Sequence, residues 1–192
     1  MKKLSALSLI LALLWGINLS PVLAQQSYTV SKVEEMKVSG TSTLHDWDMV
    51  AEGGVSGQAM MNIADGKLSG IQSLTLTMDA KALKSGKSSM DKNAYEAIMA
   101  DKFPKITFQL SQVEQITPTA IKAKGKLIIA GNSRDVNLEV NYSIKGNQVS
   151  FSGKQDITFN QFALEPPTAV FGTIKTGNEL TLSFNTTYSL KN

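Results

Sequence analysis

From Trp47 onward the chain alternates between apolar and polar positions. Trp47, Met49, Ala51, Val55, Ala59, Met61 and Ile63 share one parity, with Asp48, Glu52, Ser56, Gln58 and Asn62 on the other. Leu74, Leu76 and Met78 alternate with Thr75, Thr77 and Asp79, and Ile121, Ala123, Leu127 and Ile129 with Lys122, Lys124 and Lys126. Val136, Leu138, Val140, Tyr142 and Ile144 face away from Asn137, Glu139, Asn141 and Ser143. Val149, Phe151, Ile157 and Phe159 form another such set, as do Leu180, Leu182, Phe184 and Tyr188. A period of two gives each strand one dry and one wet face. That is antiparallel behaviour, because buried parallel strands read as continuous apolar runs. Eight strands are expected, over 28–40, 46–63, 67–82, 105–115, 119–130, 134–145, 148–162 and 178–190. Asp65-Gly66, Gly131-Asn132-Ser133 and Gly146-Asn147 supply turns between them. Glu52-Gly53-Gly54 reads as a bulge in a curved strand rather than a phosphate loop, since no helix pattern follows it.

One stretch breaks the period. Met90, Ala94 and Ile98 recur at helical spacing, and Tyr95 and Met99 widen the stripe. Ser88 with Asp91 is a weak capping box at the start. Pro104 has no amide to donate and pushes Phe103 into an extended conformation, so the helical segment, 88–103, stops there. From Ile106 the alternation resumes. The amphipathic helix needs an apolar surface, and it is expected to lean against one end of the sheet through Met90, Tyr95, Ile98, Met99 and Phe103. The Glu165-Pro166-Pro167 segment cannot be a central strand, because two prolines forbid it. It is expected as a loop at the other end.

Long one-sided strands in up-and-down order fold either as a closed barrel or as a two-layer sandwich. Length favours the barrel, since closure removes the long exposed edges that invite aggregation. The expected fold is therefore all-β, an eight-stranded antiparallel up-and-down barrel with one short helical insert between strands 3 and 4. About eight strands enclose an interior that is either filled or able to hold one small ligand.

The N-terminus changes where this domain begins. Met1-Lys2-Lys3 precedes an apolar run from Leu4 to Leu19, and Pro21-Val22-Leu23-Ala24 ends on a small residue. This is the layout of a secretory signal peptide over 1–24, leaving a domain over 25–192 in the periplasm or outside the cell, with no stable membrane span after cleavage. The net charge of +3 includes Lys2 and Lys3, so the processed chain stands near +1. No basic run interleaved with aromatics occurs, which speaks against a nucleic-acid partner. The chain has no cysteine and one histidine, which leaves no disulfide and too few soft ligands for a transition-metal site. No cofactor is expected.

Three stretches resemble the YceI family: Gly40-Thr41-Ser42-Thr43-Leu44-His45-Asp46-Trp47, Asp101-Lys102-Phe103-Pro104-Lys105-Ile106-Thr107-Phe108, and the run from Gly125 to Leu138 that contains Ala130-Gly131-Asn132-Ser133-Arg134-Asp135. The resemblance covers nearly all of the processed chain. It implies a secreted or periplasmic, lipocalin-like barrel whose partner is a polyisoprenoid or similar long amphiphilic lipid held inside. Many relatives carry a His-Leu pair in the inserted helix. This chain has Asn93-Ala94-Tyr95-Glu96-Ala97-Ile98-Met99 there, without the histidine.

An apolar cavity binds a chain by area and leaves almost no motif. The expected lining is the inward set: Trp47, Met49, Leu76, Met78, Tyr95, Ile98, Met99, Phe103, Phe108, Leu110, Leu127, Ile129, Leu138, Val140, Tyr142, Phe159, Leu182 and Phe184. His45 and Asp46 are candidate polar contacts at its mouth. Two other readings stay open. An enzyme acting on an amphiphile would use His45 and Asp46, but no Gly-x-Ser-x-Gly elbow supplies a nucleophile, and no catalytic residue is assigned. A barrel with a filled core would act as an interaction protein, with the 163–177 loop meeting a partner. A homodimer is a further open assembly.

Overall fold

The computed structural model describes residues 25–191. The expected signal peptide, 1–24, lies outside them. Alternation produces eleven strands: β1 (Gln26–Ser42), β2 (Trp47–Ala51), β3 (Val55–Ala64), β4 (Lys67–Asp79), β5 (Leu83–Lys84), β6 (Lys105–Ile116), β7 (Ala120–Ile129), β8 (Asn132–Lys145), β9 (Gln148–Thr158), β10 (Thr168–Ala169) and β11 (Ile174–Leu190). Among the described residues one α-helix, α1, spans Ser88–Ala97. Each long strand pairs antiparallel with its neighbour, in the order β1-β3-β4-β6-β7-β8-β9-β11. β11 then pairs with β1 from Tyr28↔Leu190 to Ser42↔Thr176 and closes an eight-stranded barrel.

Several boundaries differ from expectation; β1 and β11 are longer than the expected 28–40 and 178–190. The 46–63 run is split at Gly53 and Gly54, whose φ values of +85° and +65° turn the chain rather than bulge it. β2 therefore pairs with the late part of β1, Lys37–Gly40, and β3 with its start, Gln26–Thr29. The helix consequently follows β4 and β5 instead of standing directly between strands 3 and 4. The strands expected to reach 82 and 162 end earlier, each running into a single 3₁₀ turn, Ala80–Ala82 and Asn160–Phe162. The turn after β7 is Ala130-Gly131, both at positive φ, with Asn132 already paired to Ile129. That matches the two-residue hairpin whose twist suits the flanking strands.

Helix α1 is also shorter than the expected 88–103. Met99 adopts φ +51°; its amide donates to Glu96 O and that of Ala100 to Tyr95 O. This is a Schellman ending, which satisfies the last carbonyls before Pro104 is reached. The expected capping box is absent: Lys87 is the N-cap and makes no side-chain cap. The Asp91 carboxylate instead accepts from the Ser85 amide and hydroxyl, at 2.8 and 2.7 Å, and ties the helix to the segment before it.

The strand directions set the ends of the barrel. The turns at 65–66, 117–119 and 146–147 lie at one end, with Gln26 and Leu190. At the other lie the 43–46 loop, α1, the Ala130-Gly131 turn and the 159–173 segment. The first end is packed shut: Tyr28, Met61, Val149 and Tyr188 are at most 2% exposed, inside a cluster with Leu68, Ile121 and Phe151.

Candidate functional site

The second end is hollow. A cavity of about 510 Å³ opens there and runs down the barrel axis to Ile121, Phe151 and Tyr188. Two apolar groups form its walls. On one side Leu127, Ile129, Ile157, Phe159 and Phe162 pack together; on the other Val38, Met49, Met78 and Leu83 do so. Leu180 and Leu182 join both groups. No carboxylate lines the cavity among the described residues, and its charged side chains are Lys37 and Lys87.

Of the lining set expected from sequence, all but Tyr95, Met99, Phe103 and Tyr142 face the cavity. Those four are elsewhere for identifiable reasons. The Tyr95 hydroxyl receives a hydrogen bond from Lys84 Nζ at 2.8 Å and is within donating distance of the carbonyls of Leu83 (2.7 Å) and Lys81 (3.0 Å), so its ring is drawn towards the outer segment. The left-handed backbone at Met99 turns its side chain out, 40% exposed. Phe103 lies against Gly131, where an added Cβ would come within 2.5 Å of its ring. Tyr142 sits at the shut end and donates to Thr117 O at 2.8 Å.

His45 reaches the mouth, and Asp46 does not. Ser42 Oγ donates to His45 O at 2.7 Å and accepts the Leu44 and His45 amides, which fixes the 43–46 loop. His45 Nδ1 is 2.7 Å from the main-chain oxygen of Asp46, so that nitrogen carries the proton. The Asp46 side chain belongs to an outer groove with Asp48, Asp156 and Glu179. The two side chains thus form no acid–base pair.

Glycines keep the hollow open by letting aromatic rings lie flat. A Cβ on Gly125 would sit 2.2 Å from Phe108 Cε2, and one on Gly40 would sit 2.5 Å from Trp47 Cζ2. With no side chain there, each ring covers the neighbouring strand's backbone instead of filling the lumen. The Trp47 indole is pinned in that pose by donating to Thr41 O at 2.9 Å.

Lining residues missed by the sequence reading include Met36, Val38, Leu83, Phe162 and Val170. The helix and the proline-rich segment, expected at opposite ends, flank the same mouth: Met90, Ala94 and Ile98 line one side, and Leu164, Pro167 and Val170 the other.

A family model of the YceI-like domain matches residues 23–188. The chain belongs to the YceI-like family. Solved structures share the fold. Burkholderia cenocepacia BcnA is 19% identical with a TM-score of 0.63, over 79% of this chain and 95% of that one. The Campylobacter jejuni YCEI protein is 17% identical with a TM-score of 0.57, over 74% and 83%. A polyisoprenoid binding domain from Saccharophagus degradans is 11% identical with a TM-score of 0.60, over 88% of this chain and 99% of that domain. No curated protein matches the chain. At these identities the structures establish the YceI-like fold.

Proposed function

We propose that the protein is a periplasmic or secreted lipid carrier that holds an isoprenoid-like or other long amphiphilic chain in the barrel. The observation that carries this reading is the one-ended apolar cavity, about 510 Å³, within the roughly 300–1,000 Å³ common for small-ligand sites. The family membership and the polyisoprenoid-binding Saccharophagus domain support it.

The lining gives the ligand a direction. The deep end is bounded by Ile121, Phe151 and Phe184, whereas Ser42, His45, Lys87, Ser89 and Asn93 gather near the mouth. The tail goes in first, and a neutral or anionic head stays where these donors are. No carboxylate is present to repel it. Burying the tail contributes roughly 25 cal/mol for each Å² of apolar surface removed from water.

We read the protein as a binder rather than an enzyme: the family membership supports this, and the His45 and Asp46 side chains face the mouth and an outer groove respectively instead of each other. Mass spectrometry of the native protein, with organic extraction after purification from its own host, is expected to release a long-chain lipid. Homogeneous ligand-free protein from that host would overturn the reading. Cell fractionation with an intact mass starting at Gln25 tests export.

A further inference from the structure

The most exposed large apolar side chains are gathered at one place. Among the described residues, Phe171 is fully exposed, Leu44 is 65% exposed and Val170 is 62% exposed. Leu44 lies in the 43–46 loop and the other two in the turn between β10 and β11. The two loops are tied together: the Thr43 amide donates to Lys175 O at 2.9 Å, and the Lys175 amide donates to Thr43 Oγ1 at 3.1 Å. The turn holds its apolar residues outward by an unusual backbone. Val170 and Phe171 have φ values of +50° and +53°, ahead of Gly172 at +84°. A β-branched residue rarely adopts that region, and persistent strain of this kind concentrates at functional sites.

We propose that this rim docks on the surface of a lipid bilayer, with Phe171, Val170 and Leu44 entering the interface. Leu44 and Val170 also line the cavity, so the exposed patch continues the apolar wall inside. A chain leaving the barrel there passes into hydrocarbon without crossing water. The patch is the wrong size for a protein partner. Three such side chains present on the order of 400 Å², about half of what each partner buries in a standard interface. Shallow insertion of a few apolar side chains needs no more. The rim loops carry Asp46 and Glu165 against Lys175 and the mouth's Lys87, so their charges balance. Apolar insertion, not attraction to anionic headgroups, therefore holds the protein to the membrane. The inference rests on the reading of the cavity as a lipid site, because that reading makes the bilayer the source or destination of its cargo.

The test uses the chain as its host cell processes it, with vesicles of zwitterionic phosphatidylcholine. The absence of native cysteine allows an environment-sensitive fluorophore to be attached at Thr173→Cys, beside Phe171 on the rim and with Phe171 kept, or at Asn147→Cys at the shut end. The rim label is expected to shift to the blue on adding vesicles and to be quenched from within the bilayer, while the label at 147 is unchanged. Phe171→Ser, which leaves the cavity wall intact, is expected to lower vesicle partitioning about tenfold or more, with an unaltered unfolding midpoint. Raising salt is expected to change partitioning less than about twofold. Phe171→Ser partitioning like the wild type, or equal responses from both labels, would overturn the proposal. So would indifference to vesicles combined with a dimer that Phe171→Ser abolishes, which would make a second copy the occupant. Lipid extraction separates the two readings. Protein that carries a chain lipid but ignores vesicles refutes docking alone. Protein recruited through Phe171 that never carries lipid refutes the cavity reading and leaves docking in place.

Discussion

The shut end and the open end of the barrel are made from the same eight strands, with the same alternation of apolar and polar side chains. At the shut end Tyr28, Met61, Val149 and Tyr188 meet across the axis and exclude solvent. At the open end the inward residues divide into two wall groups with the cavity between them. Two devices make the difference. Phe108 and Trp47 lie flat on Gly125 and Gly40 instead of pointing at the axis. The chain also leaves the barrel there in long excursions, α1 and the 159–173 segment, which frame an opening where the other end has tight turns. The pairing of the strands specifies the barrel, and side-chain depth along them decides whether it is solid or hollow.

The largest test of this contrast compares two methionines. Met61 is fully buried at the shut end and away from the cavity, whereas Met78 is 8% exposed on the cavity wall. Truncating a close-packed side chain removes its burial and leaves a void that its neighbours cannot fill. Met61→Ala is therefore expected to cost about 4 kcal/mol and Met78→Ala about 2 kcal/mol, since Met78 already borders empty space. Urea unfolding of ligand-free protein measures both. Equal losses would mean that the open end is packed as firmly as the shut one.

Gly125→Ala attacks the device that keeps the lumen clear. The new methyl would sit 2.2 Å from Phe108 Cε2, so the ring must leave its strand and swing inward. Overpacking of this kind costs roughly 1–3 kcal/mol. The displaced ring also occupies ligand space, so the lipid recovered per protein is expected to fall. Adding Phe108→Leu to Gly125→Ala should restore part of the stability. A lipid load that stays constant in Gly125→Ala would show that the ring has another way out.

How much of this was legible in the sequence depends on what parity can encode. Alternation fixes the face of a residue and hence the barrel, but it carries no depth. Tyr142 shares the parity of Val140, yet it sits at the shut end with its hydroxyl on Thr117 O. Met36 and Val38 escaped because β1 carries irregularities between Val30 and Lys32 and between Val33 and Glu35, which break its period. Along α1 and its C-cap the apolar stripe brings Met90, Ala94 and Ile98 to the cavity. It failed for Tyr95, whose hydroxyl found polar partners, and for Met99, which serves as the left-handed cap. Hydrophobicity alone cannot signal either role. The pairing of the helix and the proline segment at one mouth was legible and was overlooked: the four antiparallel strands expected over 105–115, 119–130, 134–145 and 148–162 separate them, and an even number returns the chain to the end it left.

The next test asks how firmly the helical side of the mouth is held. Asp91 is buried. Burial by itself raises its pKa, but the hydrogen bonds from the Ser85 hydroxyl and amide, helped by the nearby Lys84 ammonium, outweigh this and leave it lowered. A carboxylate with a depressed folded pKa contributes stability that is present above its unfolded value of about 4 and is lost as pH falls through the folded value. The hydrogen-exchange protection of α1, taken relative to the intrinsic rate at each pH, is thus expected to fall below about pH 4, ahead of protection in β7 and β9. Asp91→Asn should lose about 1–2 kcal/mol at neutral pH and abolish that pH dependence. If acid instead loosens the 163–173 side first, with α1 unchanged, the helix is held by its apolar face and the Asp91 latch is secondary.

The smallest expected effect is at the bottom of the barrel. The Tyr188 hydroxyl is buried without a hydrogen-bond partner, above Gly57, where an added Cβ would stand 2.8 Å from it. Burial pushes its pKa well above the ordinary tyrosine value. The fold thus retains a proton that the unfolded chain releases as pH climbs past about 10, so this group's contribution falls as pH rises from there towards the folded value. Tyr188→Phe removes an unpaired buried donor while keeping the ring, which meets Phe151 edge-on at a centroid distance of 5.7 Å. Removing such a group with little change of shape is close to neutral, so the variant is expected to match the wild type or gain up to about 1 kcal/mol at neutral pH. It should also lose less stability than the wild type under alkaline conditions. A loss of more than about 1 kcal/mol would mean that the hydroxyl has a partner in solution, a trapped water or the polar head of a cargo that enters head first, against the direction proposed above. Repeating the measurement on extracted protein tells these apart. A penalty that survives extraction belongs to water, and one that vanishes belongs to the cargo, which would carry the cavity deeper than its apolar floor.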